Sequence, residues 1–220
     1  MASSDLERSN ETTRDWVEYL PLHRAILRDD WDTVYAIISE DKDAVTTEID
    51  NTGTPLHIAI GIGENIKLFE NLLNMINPES LPSILNQFKG NLLQRAAVVG
   101  NTEAAKMLVN KNPRLLFILD GAEDLPIHRA VFNNHQTTYR YLIGACKQHL
   151  HLSRPDGYHT PFQGLQGAKL LISVISRGYL DVPTTIDDVW NAQEISDIEN
   201  QHTNTAFIYS VLLFEYMYDV

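Results

Sequence analysis

Apolar residues along this chain recur three and four positions apart, in short runs that come in pairs. That spacing lines up one stripe on an α-helix. The second run of each pair is the clearer: Val34, Ile37 and Ile38; Leu68, Leu72 and Leu73; Ala105, Met107, Leu108 and Val109; Tyr139, Tyr141, Leu142 and Ile143. Each pair predicts two antiparallel helices, A then B, joined by a tight turn. One such hairpin is too thin to bury its own stripe, so the pairs are expected to stack and share a continuous core.

The first run of each pair carries a repeated motif. Leu20-Pro21-Leu22-His23-Arg24-Ala25 recurs as Thr54-Pro55-Leu56-His57-Ile58-Ala59, as Asn91-Leu92-Leu93-Gln94-Arg95-Ala96 and as Leu125-Pro126-Ile127-His128-Arg129-Ala130. A weaker fifth copy is Lys169-Leu170-Leu171-Ile172-Ser173-Val174. The spacings from Pro21 to Pro55, Leu92 and Pro126 are 34, 37 and 34 residues. A period of about 33 with a Thr-Pro-Leu-His-x-Ala centre resembles the ankyrin repeat. The expected fold is an all-α ankyrin-repeat solenoid with β-turn fingers. Its repeats fall at 20–53, 54–90, 91–124 and 125–150, followed by an insert at 151–167 and a degenerate repeat at 168–182. A short helix over 13–19, with Trp16, serves as part of an N-terminal cap at 1–19, and an acidic helical segment at 183–220 closes the other end.

The motif positions have mechanical reasons. A Thr hydroxyl accepts from an unpaired N–H at the start of helix A, and Pro loses nothing at the first helical position. Gly63, Gly100 and Gly178, each eight residues after the Pro or its equivalent, suit the turn into helix B. Between repeats, Asp50-Asn51-Thr52-Gly53, Lys89-Gly90-Asn91 and Asp120-Gly121 supply turns with residues that tolerate positive φ. The first of these is one residue short, which distorts its tip. Repeat three lacks His and Thr-Pro and repeat five keeps only its hydrophobic skeleton, so the C-terminal end of the stack reads as the eroded one, and Pro183 interrupts or delays helix B of repeat five.

Charge narrows the partners. Seventeen basic residues against 29 acidic ones leave a formal −12, a surface that repels nucleic acid and anionic lipid. No Lys or Arg follows Arg177, whereas eight acids do, so only −4 belongs to residues 1–177. Cys146 is the single cysteine, which excludes an internal disulfide and points to a cytoplasmic setting. The N-terminus has neither the basic start nor the apolar run of a signal peptide. The longest apolar run, Ala206 to Tyr218, is interrupted by Glu215 and too short to span a bilayer.

A more specific likeness rests on Tyr19-Leu20-Pro21-Leu22 with Asp30-Trp31, Thr54-Pro55-Leu56-His57-Ile58-Ala59, Asn77-Pro78-Glu79, Val109-Asn110-Lys111-Asn112-Pro113 and Leu125-Pro126-Ile127-His128. In this order they resemble the plant ankyrin proteins that carry a C-terminal membrane module, the PGG domain. The likeness covers roughly residues 16 to 182. It implies a cytosolic adaptor or regulator in stress and defence signalling, and no chemistry. The proline-glycine-glycine motif and the membrane helices of that family are absent from this sequence, so membrane attachment is not carried over.

Catalytic signatures are lacking. Gly61-Ile62-Gly63 ends a helix rather than cradling a phosphate, and no Gly-x-Ser-x-Gly occurs. Asp29-Asp30 and Asp187-Asp188 read as solvated pairs. His23, His57 and His128 share one slot, in which the imidazole ties its own turn to neighbouring backbone. His149, His151 and His159 form the one metal-like cluster, in the insert, but loop histidines without a second shell make a poor site. No cofactor is expected.

Function is therefore expected in the surface. The concave face of an ankyrin stack offers a pre-organised groove to a protein partner. There, Ile62, Val98, Val99 and Phe132 are expected to make an exposed apolar patch, with Arg28, Asn133 and Arg177 beside it. Arg24, Arg95 and Arg129, one per repeat, form a row of cations suited to an acidic peptide, unless they are paired within the stack. The leading expectation is a non-enzymatic interaction module, a monomer or a weak dimer through its C-terminal segment. The alternatives are an atypical enzyme or small-molecule binder, with a pocket made by the degenerate repeats, insert and tail, and the soluble part of a membrane-tethered regulator.

Overall fold

The computed structural model describes residues 19–49, 53–62, 66–153, 159–162 and 164–179. The predicted N-terminal cap before Tyr19, the tip of the first inter-repeat turn, Gly63, Pro183 and the acidic C-terminal segment lie outside these residues. Among the described residues the structure is helix and turn without a strand, apart from one isolated antiparallel bridge between Leu85 and Asn91. The helices are α1 (Leu20–Leu27), α2 (Trp31–Glu40), α3 (Pro55–Ile62), α4 (Ile66–Asn74), α5 (Leu92–Val99), α6 (Thr102–Lys111), α7 (Pro126–Phe132), α8 (Gln136–Gln148) and α9 (Gly164–Ser176). The odd-numbered helices pack side by side in chain order, each of the first four against its own even-numbered partner. In the second layer α4 packs on α6 and α6 on α8. One continuous apolar core runs between the layers, from Leu22 to Val174. None of the described helices is long and apolar enough to cross a membrane.

The hairpins are made the same way each time. Helices α1, α5, α7 and α9 are followed by a residue in the left-handed region: Asp29 (φ 57°), Gly100 (φ 75°), Asn134 (φ 61°) and Gly178 (φ 69°). The next N–H turns back, Asp30 to the Ala25 carbonyl, Asn101 to Ala96, His135 to Ala130 and Tyr179 to Val174, at 2.9 to 3.0 Å. This satisfies a carbonyl that the helix end leaves unpaired. Glycine was expected in that role, and Asp29 and Asn134 fill it too, because short polar side chains tolerate the conformation. Two of the second helices, α2 and α6, start on a side-chain cap: Asp30 accepts from the Thr33 N–H at 3.2 Å and Asn101 from Ala104 at 3.0 Å, whereas His135 makes no such bond at the start of α8.

Each second helix is followed by a turn of 3-10 helix. Asp41, Asn77 and Asn112 open three of these turns, each accepting from the N–H two residues on at 3.0 to 3.1 Å. Asn77-Pro78 and Asn112-Pro113 are thus stop signals of the repeat. Asn112 also donates across to the Pro78 carbonyl at 2.8 Å, and Lys111 Nζ to Leu73 at 2.6 Å.

Three expectations need correction. Positive φ in the third inter-repeat turn falls on Glu123 (57°), not on Asp120 or Gly121, whereas in the second it falls on Lys89 (56°), one of the predicted turn residues. Thr54 does not cap an α3 N–H; its own N–H and hydroxyl meet His57 Nδ1 at 3.3 and 3.0 Å. The insert expected over 151–167 ends earlier, since α9 already begins at Gly164. The histidine missing from repeat three is made good by Gln94. Gln94 Oε1 accepts from the Asn91 N–H at 2.6 Å, and its Nε2 donates to Ile118 and Asp124 carbonyls at 3.1 and 3.0 Å. His128 does the same work one repeat on, with Nδ1 accepting from Leu125 at 3.0 Å and Nε2 donating to the Gln166 carbonyl at 2.9 Å.

Candidate functional site

Two projecting turns are built from one pattern. Asn86 Oδ1 accepts from the N–H groups of Phe88 and Gly90, each at 2.9 Å, while its own N–H reaches the Gly90 carbonyl at 2.9 Å. Asp120 Oδ1 likewise accepts from Ala122 and Asp124, at 2.9 and 3.1 Å, and its N–H reaches the Asp124 carbonyl at 3.0 Å. The short Asx side chain holds each loop from inside. The loops are also joined: Gly121 N–H donates to the Phe88 carbonyl at 2.9 Å. A Cβ at Gly121 would lie 2.7 Å from that oxygen, so close approach is what requires glycine here.

Between these turns lies a cleft of about 880 Å³, floored by Gln94, Arg95 and Val98 of α5 and flanked by Phe88, Lys89 and the 120–122 turn, with Arg129 at its side. Phe88 is 69% exposed at the lip. Arg95 lies against α3, where its guanidinium occupies the space a Cβ on Gly61 would need. Its Nε donates to the His57 carbonyl at 3.4 Å, and among the described residues no carboxylate pairs with it. Arg129 differs. Its Nε and Nη2 both lie 2.6 Å from Asp120 Oδ2, with Asp124 at 3.5 Å and Lys169 3.2 Å from that second carboxylate.

The expected site is therefore only partly assembled. Arg95, Val98 and Arg129 line the cleft. Arg24 and Arg28 are exposed on and just after α1 and take no part in it. Of the predicted apolar patch, Ile62 and Val99 are half-buried against the core and Val98 is half-buried at the cleft. Phe132, Asn133 and Arg177 gather instead at the end of α7. Phe132 is exposed there, Asn133 donates to the Arg129 carbonyl at 2.8 Å, and Arg177 Nη2 donates to the Phe132 carbonyl at 2.6 Å. Arg177 thus completes a helix end. The row of arginines reduces to Arg95, since Arg129 is neutralised by its own loop. Phe88 is not singled out by the sequence, which marks Lys89 only as a turn residue and Gly61 only as part of a helix end. The signals were an aromatic residue inside a polar turn and a glycine inside a helix.

The groups most displaced from ordinary titration are buried. Burial pushes the His57 imidazole down to about 4, with the Arg95 charge adding to it, and pushes His128 down to about 4 as well. His57 Nε2 faces the Gly90 backbone without completing a hydrogen bond. Burial also raises the Cys146 thiol well above its usual range, so the thiolate that would act as nucleophile is suppressed. His149 and His151 rings are 6.3 Å apart, the His159 N–H is bonded to the Phe117 carbonyl at 3.1 Å, and among the described residues no three metal-binding side chains converge. The pocket expected of the degenerate repeats, insert and tail draws on residues 154–158 and 180–220, outside those described; the cleft lies earlier in the chain, between the turns at 86–90 and 120–124. No protein-family model matches the chain, and no curated protein matches it.

Proposed function

We propose that the chain is a non-enzymatic interaction module of the ankyrin type, which takes a segment of a partner protein into the cleft between its second and third projecting turns. Five copies of one motif, helix pairs packed in chain order and a left-handed residue after four of the first helices support the ankyrin reading. The observation that carries the function is the cleft itself. It is an open trough between two projecting turns, with an aromatic lip and a cation that has no carboxylate partner among the described residues. Groups whose titration is strongly displaced are engaged in stacking, which favours binding over chemistry. The likeness to plant PGG-domain ankyrin proteins adds a cytosolic adaptor in stress or defence signalling as the setting.

Hydrogen–deuterium exchange of the full chain, with and without peptides selected from a random display library, tests this. Slowed exchange at 86–98 and 120–124 supports the cleft. Slowing confined to other surfaces, or no peptide recovered, defeats it.

A further inference from the structure

Resting on that reading, the geometry points to the chemistry of the partner: an extended segment that gives one carboxylate to Arg95 and an adjacent apolar side chain to Phe88 and Val98. Charge is the first argument. Of the two arginines at the cleft, Arg129 is held by Asp120 at 2.6 Å and so has no donor pair to offer at low cost. Arg95 keeps its two terminal nitrogens unpaired by any carboxylate among the described residues, and Lys89 stands at the neighbouring turn. A planar guanidinium with two parallel donors matches one carboxylate. One anion fits better than many, because the protein carries a formal −12 that opposes a polyanion.

Pre-organisation is the second argument. Glycine inside a helix is unfavourable relative to alanine, yet Gly61 sits in the last turn of α3 on its exposed side. The equivalent positions, six residues after the repeat's Pro or Leu, hold Leu27, Val98, Phe132 and Ser176. What distinguishes Gly61 is that Arg95 Nη2 occupies the Cβ position. Gly61 is a seat that holds the guanidinium flat, with Nε anchored on the His57 carbonyl and the terminal nitrogens left for a ligand. Gly61 is thus a positioning residue and Arg95 the anchor. Phe88, exposed at the lip, and Val98 on the floor supply the apolar contact next to it.

Display selection from a random peptide library on the full chain, followed by fluorescence anisotropy of each recovered peptide, tests the inference. Recovered peptides are expected to share one Asp or Glu beside an apolar residue, and to weaken with added salt. Their binding should fall about tenfold or more with Arg95→Gln. Gly61→Ala should lower affinity while thermal unfolding stays near that of the wild type, because only the seat of Arg95 is disturbed. Replacing the peptide's own Glu by Gln should match Arg95→Gln, and the two changes together should cost no more than either alone. Peptides that slow exchange at the cleft but lack an acid, or bind Arg95→Gln unchanged, overturn the carboxylate pairing and leave the cleft reading standing. Peptides that map to another surface overturn both.

Discussion

His57, His128 and Gln94 occupy one slot of the repeat, and that slot is where residue-scale physics is most visible. Each side chain accepts from an N–H three residues earlier, at the start of its own helix. Gln94 also donates to backbone of the turn that leads into the next repeat, and His128 to the Gln166 carbonyl of α9. A neutral imidazole and an amide present the same acceptor-and-donor pair, so the third repeat keeps its tie without histidine. They differ in acid. Both imidazoles hold to about 4 in the fold, against an ordinary value of 6.5. The unfolded chain then binds more protons between these values, so their contribution is complete above pH 6.5, falls as pH drops towards 4, and is level below. The loss amounts to about 3 kcal/mol at most for each histidine. His128→Gln is therefore expected to stay within about 1 kcal/mol of wild type at pH 7.5 and to lose part of the acid sensitivity, whereas His128→Ala should cost about 2 kcal/mol by stranding the Leu125 N–H and Gln166 carbonyl. Urea unfolding at pH 7.5 and 5 decides this, and an unchanged pH slope in the Gln variant would refute it.

At the scale of the element, the hairpin is governed by the residue between its helices. Gly100 has φ +75°, and a Cβ there would run into the His135 ring. Gly100→Ala should destabilise by about 1–2 kcal/mol from backbone strain alone, with the collision adding to it. Gly144 is the contrast. It lies inside α8, exposed, and a Cβ would meet nothing within 4 Å. Gly144→Ala is expected to stabilise by about 0.5–1 kcal/mol. Thermal melts of the two variants should move in opposite directions; a shift of the same sign in both would contradict the assignment. Left-handed positions read from sequence as glycine alone missed Asp29 and Asn134, because composition cannot say which polar residue tolerates the turn. In the third inter-repeat turn the reading has the right loop but misses Glu123, since Asp120 fixes the register from within.

At the scale of the whole molecule, neighbouring units among the described residues are tied to one another by side-chain hydrogen bonds. Asn101 Nδ2 donates to the Ile60 carbonyl at 3.2 Å, His135 Nε2 to Val98 at 2.9 Å, and Arg177 to Phe132 at 2.6 Å, each reaching back to the end of an earlier first-layer helix. The core follows the same logic, because every first-layer helix packs on the next. Cys146 reports on this stack. Its thiol is fully buried on α8 and its ionisation is suppressed by burial. Alkylation of the native protein at pH 8 should be slow, and it should rise together with loss of helical circular dichroism as urea is added. Rapid labelling without loss of helix would mean that α8 opens apart from its neighbours.

The amino-acid sequence alone determined the period, the pairing of helices and the faces they bury, because these are local: apolar spacing, turn residues and helix stops act within one repeat. Only the packed structure decided which cation is available. Arg24, Arg95 and Arg129 are equivalent in the motif, yet Arg129 is neutralised by a carboxylate from its preceding turn, Arg95 rests on a glycine from the previous repeat, and Arg24 stands away from the cleft. Depth, neighbouring charge and the space left by a missing Cβ belong to contacts between repeats, and helical periodicity encodes none of them.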